Sequence, residues 1–108
     1  MILAIAAFLA TGKNAAALTA QDVMENMSAE EQNAYISGVV EGLAFARWLA
    51  DERDETGMQC IWNWYLHSDQ RARFNAQMDW FEKHPEQQVS TLMYALIREE
   101  CGEQGSRR

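Results

Sequence analysis

A chain of 108 residues, 48% hydrophobic and 23% charged, makes one small globular domain and leaves no room for a second. Nine basic against sixteen acidic residues give a formal net charge of −7. An acidic chain repels phosphates, and Arg107 and Arg108 at the C-terminus are too few to offset this, so nucleic-acid binding is excluded.

The chain opens with an apolar run from Ile2 to Ala10, a short polar break and then Ala15-Ala16-Ala17, which fits the small-x-small pattern cut by signal peptidase. Residues 1–17 therefore read as a secretion signal, although no Lys or Arg precedes the apolar run; the other reading of the run is a buried N-terminal helix. Nine apolar residues are too short to span a bilayer. Loss of residues 1–17 removes Lys13 and leaves a charge of 8 − 16 = −8 over 91 residues. The expectation is an exported chain, periplasmic or secreted, with residues 18–108 forming a single helical domain with a short polar C-terminal tail.

Two cysteines, Cys60 and Cys101, remain in that domain, and an even count in an exported chain favours a disulfide. It closes a loop of about 40 residues, which the chain-entropy model values at about 4 kcal/mol. A metal site is the rival reading, but His67 and His84 are not spaced as ligands to these thiols, so no metal is expected.

Helix starts follow at Thr19 and at Ser28, where Ser28 and Glu31 form a capping box. A short helix is predicted near residues 20–27 and a long one from 29 to about 52, ended by the polar run Asp51 to Gly57. That run lacks the alternating ligands and central glycine of a calcium loop and reads as a solvated connection. Residues 58–66, apolar on nearly every side, read as a short helix buried all round or partly covered by a partner. From Ser68 helical spacing resumes, with Phe74, Met78 and Phe81 on one face, and stops at His84-Pro85. Proline then opens the last helix, where Val89, Leu92, Met93, Leu96 and Ile97 form the clearest amphipathic stripe before the stop at Cys101-Gly102. No strand alternation appears, so the class is all-α: a single-domain bundle of four to five helices tied by one disulfide.

Within the long helix, steps of four residues join Ala34, Gly38, Gly42, Ala46 and Ala50 into a ridge with nothing larger than a methyl group. Each glycine costs about 1 kcal/mol of helix propensity relative to alanine. The ridge adjoins Tyr35, Val39, Leu43 and Leu49, so Gly38, Gly42 and Ala46 read as the site of close packing by another helix, the last one being the natural candidate. The same pattern also suits a seam between two copies, a homodimer. Glu41 and Arg47 within the segment argue against a bilayer.

Candidate partner-binding residues are those the core does not use. Ser37, Glu41 and Trp48 lie with Ala44 on the opposite face of the long helix; Trp80 stands about 120° from the Phe74, Met78, Phe81 face, and Trp62 lies in the all-round apolar helix. Exposed tryptophans anchor interfaces, although in so small a bundle they also cover helix ends. Catalysis has little support: neither histidine is spaced as the base of a nucleophile, and the acid pairs Asp51-Glu52 and Glu99-Glu100 read as surface charge. No enzyme and no cofactor are expected.

The order AYISGVVEGL, QCIW, WFEKHPE and LMYALIREEC, over roughly residues 34–101, resembles the small periplasmic immunity proteins of the Rap/Tai type. That resemblance implies a compact all-α domain with a disulfide-bonded cysteine ending its last helix, and a protein partner: a cell-wall amidase toxin of type VI secretion. The chain departs from the pattern in having no cysteine near Asn33 and a longer polar segment between Trp64 and Trp80. The stretch LTAQDVMENMSAEEQNAYISGVVEG is also similar to the start of acid-stress chaperones of the HdeA type, which implies opening at low pH to hold unfolding clients. Immunity-type binding is the first expectation and the acid chaperone the alternative.

Overall fold

The computed structural model describes residues 18–105; the secretion-signal reading of residues 1–17 and the basic pair at 107–108 lie outside the described residues. Five helices follow one another: α1 (Ala20–Asn26), α2 (Ala29–Ala50), α3 (Thr56–His67), α4 (Gln70–Lys83) and α5 (Val89–Cys101). The described residues hold no strand, only an isolated bridge between Thr19 and Gln88, so the all-α, one-disulfide expectation holds.

Most boundaries have a cause that the sequence states. Thr19 with Asp22, and Ser28 with Glu31, close capping boxes at the starts of α1 and α2. Asp69, one residue beyond the expected Ser68, caps α4 by accepting from Arg71 and Ala72. Gly102, at φ 74°, stops α5 with its N–H on Arg98 O. The end of α2 closes differently: the Arg53 N–H reaches Trp48 O and the Glu52 N–H reaches Leu49 O, with Glu52 and Arg53 at φ 57° and 67°. Glu52 thus stands where a glycine ordinarily relieves left-handed strain.

Proline does not open the last helix, which begins only at Val89. The carbonyls of Pro85 and Gln87 instead accept the N–H groups of Gln21 and Ala20, and the Val89 N–H reaches Leu18 O. Residues 84–89 therefore clasp the start of α1, supplying acceptors that its first turn would otherwise lack.

The core gathers Val23, Ile36, Val40, Ala44, Ile61, Tyr65, Phe81, Val89, Leu92, Met93 and Ile97, so the stripe read on α5 is buried as expected, with Leu96 at its margin. On α4 only Phe81 of the expected face is fully buried; Phe74 is 40% exposed. The first turns of α4 lie beside the start of α2, where Phe74 lines a groove with Ala29, Gln32 and Asn33 instead of meeting the core.

Two ties hold the far end of the bundle. Cys60 on α3 is bonded to Cys101, the last residue of α5, with Cα atoms 5.8 Å apart. Beside them Arg47 and Asp51 are buried: the Arg47 Nε donates to Asp51 Oδ2 at 2.7 Å, and its Nη1 and Nη2 reach the Gly102 and Cys101 carbonyls at 3.0 and 3.2 Å. The guanidinium thus caps the C-terminal end of the α5 dipole, while Asp51 also accepts from the Gly105 N–H. This corrects the reading of Asp51 as surface charge: a carboxylate four residues after an arginine on one helix makes a pair that burial can tolerate.

The glycine that close packing needs is Gly57. A Cβ there would sit 2.6 and 2.8 Å from the Arg47 Cζ and Nη2, atoms pinned by their hydrogen bonds. Gly57→Ala is therefore expected to cost about 1–3 kcal/mol, as overpacking does; chemical denaturation of the two proteins checks it.

The expected role of Gly38, Gly42 and Ala46 is overturned. Ala34, Gly38, Gly42, Ala46 and Ala50 are all exposed, and a Cβ on Gly38 or Gly42 would meet nothing within 4 Å. The buried residues of α2 are Ile36, Val40, Ala44 and Arg47, on the other side. Because α2 is apolar nearly all round, spacing does not choose its inner face. Bulk does: Ile36 and Val40 offer far more area to bury than a smooth ridge. Gly42→Ala should consequently raise stability by about 0.5–1 kcal/mol, the propensity gained with no clash; a fall in the denaturation midpoint would contradict this placement.

Candidate partner-binding surface

Ser37, Glu41 and Trp48 lie along one flank of α2, the flank onto which α3 packs, as the Ser37 and Tyr65 hydroxyls 3.1 Å apart record. Trp62 stands one turn before Tyr65 on α3 and is half-buried against the core. By helical spacing these four residues border one seam between α2 and α3. Ala44, grouped with them from the sequence, is buried.

Trp48 is half-buried, with the Phe45 ring 5.7 Å away and the Arg53 guanidinium 5.8 Å from its own ring. The left-handed turn at Glu52 and Arg53 folds Arg53 back over the indole, a cation–π contact at a partly wet site. Trp80 does not join this group. It packs on the core between α4 and α5, beside Leu96, with the His84 ring 4.5 Å away edge-on. Its indole N–H is buried without a hydrogen-bond partner, so covering the core accounts for this residue.

Sequence reasoning missed three side chains here: Phe45, Leu49 and Leu66 are 55%, 48% and 50% exposed. The signal was present. Steps of four from Ser37 give Glu41, Phe45 and Leu49, and a step of four from Trp62 gives Leu66. Phe45 lies against Trp48, and large apolar side chains left half in water are of the kind that mark a contact with another molecule.

Chemistry beyond binding finds no constellation among the described residues. His67 is exposed at the end of α3, His84 caps the end of α4, and no group of three or more His, Cys, Asp or Glu side chains stands close enough to hold a metal ion. No helix among them is long and apolar enough to cross a membrane. Compared with family models, curated proteins and solved structures, the chain matches none.

Proposed function

We propose that this chain is an exported, periplasmic protein-binding module that engages a protein partner at neutral pH through the seam of α2 and α3. The observation that carries the reading is that Phe45, Leu49 and Leu66 stand half exposed on α2 and α3, Phe45 against Trp48, outside a core that is complete without them. Ser37 and Glu41 supply polar contacts at the same seam. The resemblance to Rap/Tai-type immunity proteins makes a cell-wall amidase toxin the first partner to try. The oxidised protein, mixed with such an effector from its own cell, should block peptidoglycan cleavage in proportion to its amount. Undiminished cleavage at excess protein counts against immunity.

A second reading, the acid chaperone, draws on the excess of acidic over basic residues. In strong acid the nine basic groups are no longer balanced by the sixteen acidic ones and repel one another, while the disulfide keeps the chain compact. On that reading aggregation of unrelated clients is suppressed near pH 2.5 and not at pH 7, as light scattering would record.

A further inference from the structure

The groove that Phe74 lines, between the start of α2 and the first turns of α4, has a volume of about 520 Å³, within the range of small-ligand sites. Asn33 borders it from α2, and Arg71, Arg73 and Asn75 from α4. In a chain with sixteen acidic and nine basic residues, two arginines and no carboxylate line this groove.

Its polar groups are partly held and partly open. Arg73 is half-buried, its guanidinium 4.2 Å from the centre of the Tyr65 ring, and its Nη1 and Nη2 donate to the side-chain oxygens of Gln77 and Gln70 at 3.2 and 2.9 Å. Gln77 is buried, and Gln70 is itself fixed by donating to the Tyr65 and Leu66 carbonyls at 3.2 and 2.7 Å. Both acceptors on Arg73 are neutral, so among the described residues no carboxylate pairs with its charge. Glu100 lines the adjoining cleft that also touches Arg73, beyond ion-pair distance. The side chains of Arg71, Asn33 and Asn75 make no hydrogen bond or ion pair among the described residues. The acids of the two helix caps are occupied: Glu31 accepts from the Ser28 N–H, and Asp69 from the Arg71 and Ala72 N–H groups. Glu30, exposed in the first turn of α2, is the acid there that opposes an anion.

We propose that this groove binds a short peptide by a carboxylate. Arg71 and Arg73 take the carboxylate, for which a guanidinium offers paired donors. The side-chain amides of Asn33 and Asn75 each present a donor and an acceptor, which match the N–H and C=O of a peptide group. Phe74, 40% exposed, offers its ring to an apolar side chain of the ligand. The carboxylate has two sources, a chain end or an acidic side chain, with the same chemistry. A bare inorganic anion would use the arginines and leave Phe74 and the two amides without a role. Ion pairs at a wet surface are weak and screened by salt, so the expected Kd is on the order of 0.1–1 mM, rising with ionic strength. None of Ser37, Glu41, Trp48 and Trp62 lines the groove, so the inference stands apart from the proposed partner surface.

The test is a titration of the oxidised protein followed by the chemical shifts of its backbone amides. The probes are acetyl-Ala-Leu-Ala with a free carboxylate, the same peptide as its C-terminal amide, and acetyl-Leu-Asp-Ala amide, whose carboxylate is on a side chain. At least one carboxylate peptide should give saturable shifts at Asn33 and over residues 70–75, and amidated acetyl-Ala-Leu-Ala should bind at least about tenfold more weakly; the peptide that binds identifies the source. Arg71→Gln should weaken binding at least about fivefold, with circular dichroism and melting unchanged because the Arg71 side chain makes no bond in the fold. No saturable shift from either carboxylate peptide up to about 10 mM, or equal binding of the amidated form, overturns the proposal. Inorganic phosphate binding as tightly as the peptides overturns the peptide as ligand, and binding unaltered in Arg71→Gln overturns the role of that guanidinium.

Discussion

Asp51→Ala is expected to destabilise the protein by about 3–5 kcal/mol, because it leaves the Arg47 guanidinium buried without its carboxylate. The Asp51 side chain is wholly buried and also accepts from the Gly105 N–H, so the substitution strips an acceptor from the backbone too. In a small domain, whose total stability is commonly about 5–15 kcal/mol, this is a large share. The contrast is Asp79, whose pair with Lys83 at 3.1 Å is mostly exposed; Asp79→Ala should leave the midpoint close to that of the parent. Arg47→Met combined with Asp51→Ala should cost less than the sum of the two single changes, since no lone charge then remains inside. Urea denaturation at pH 7 of the parent, the three single variants and the double variant reads these comparisons. An Asp51→Ala protein as stable as the parent would show that Arg47 and Asp51 do not lock this end of the fold.

Opening the Cys60–Cys101 bond should have an effect of similar size. The bond spans 41 positions, for which the chain-entropy model gives about 4 kcal/mol through the unfolded state alone. Reduction should also loosen the Arg47 lock, because the guanidinium holds the carbonyl of Cys101 itself. Reduction and Asp51→Ala are therefore expected to be non-additive, both acting on the join of α2, α3 and the end of α5. Denaturation with and without a reductant, repeated on Asp51→Ala, measures the coupling. Strict additivity would separate the two ties.

Where one residue type has one local use, the sequence was legible. Thr19, Ser28 and Gly102 mark helix ends by hydrogen-bond and backbone rules that act within a turn, and each acts as read. The stripe on α5 is polar enough on its other faces for spacing to select the inner one. On α2 that logic fails, because apolar and small residues run all round it, and orientation depends on what α3 and α5 present. Gly57 could not be recognised for a related reason. Its need comes from Arg47, ten residues earlier, turning inward, which in turn depends on carbonyls at the end of α5. The partner surface was half legible: Ser37, Glu41, Trp48 and Trp62 border one seam, whereas Trp80 is explained by the core it covers.

The proposed partner surface at α2 and α3 is preformed and lies outside the core. Titration calorimetry at pH 7 with a cell-wall amidase effector from the same cell, comparing the parent with Trp48→Ala, tests it most directly. The predicted result is binding weakened by about 1–3 kcal/mol, as for an interface anchor, with helicity and melting close to those of the parent. Unchanged affinity in a folded Trp48→Ala protein would contradict it.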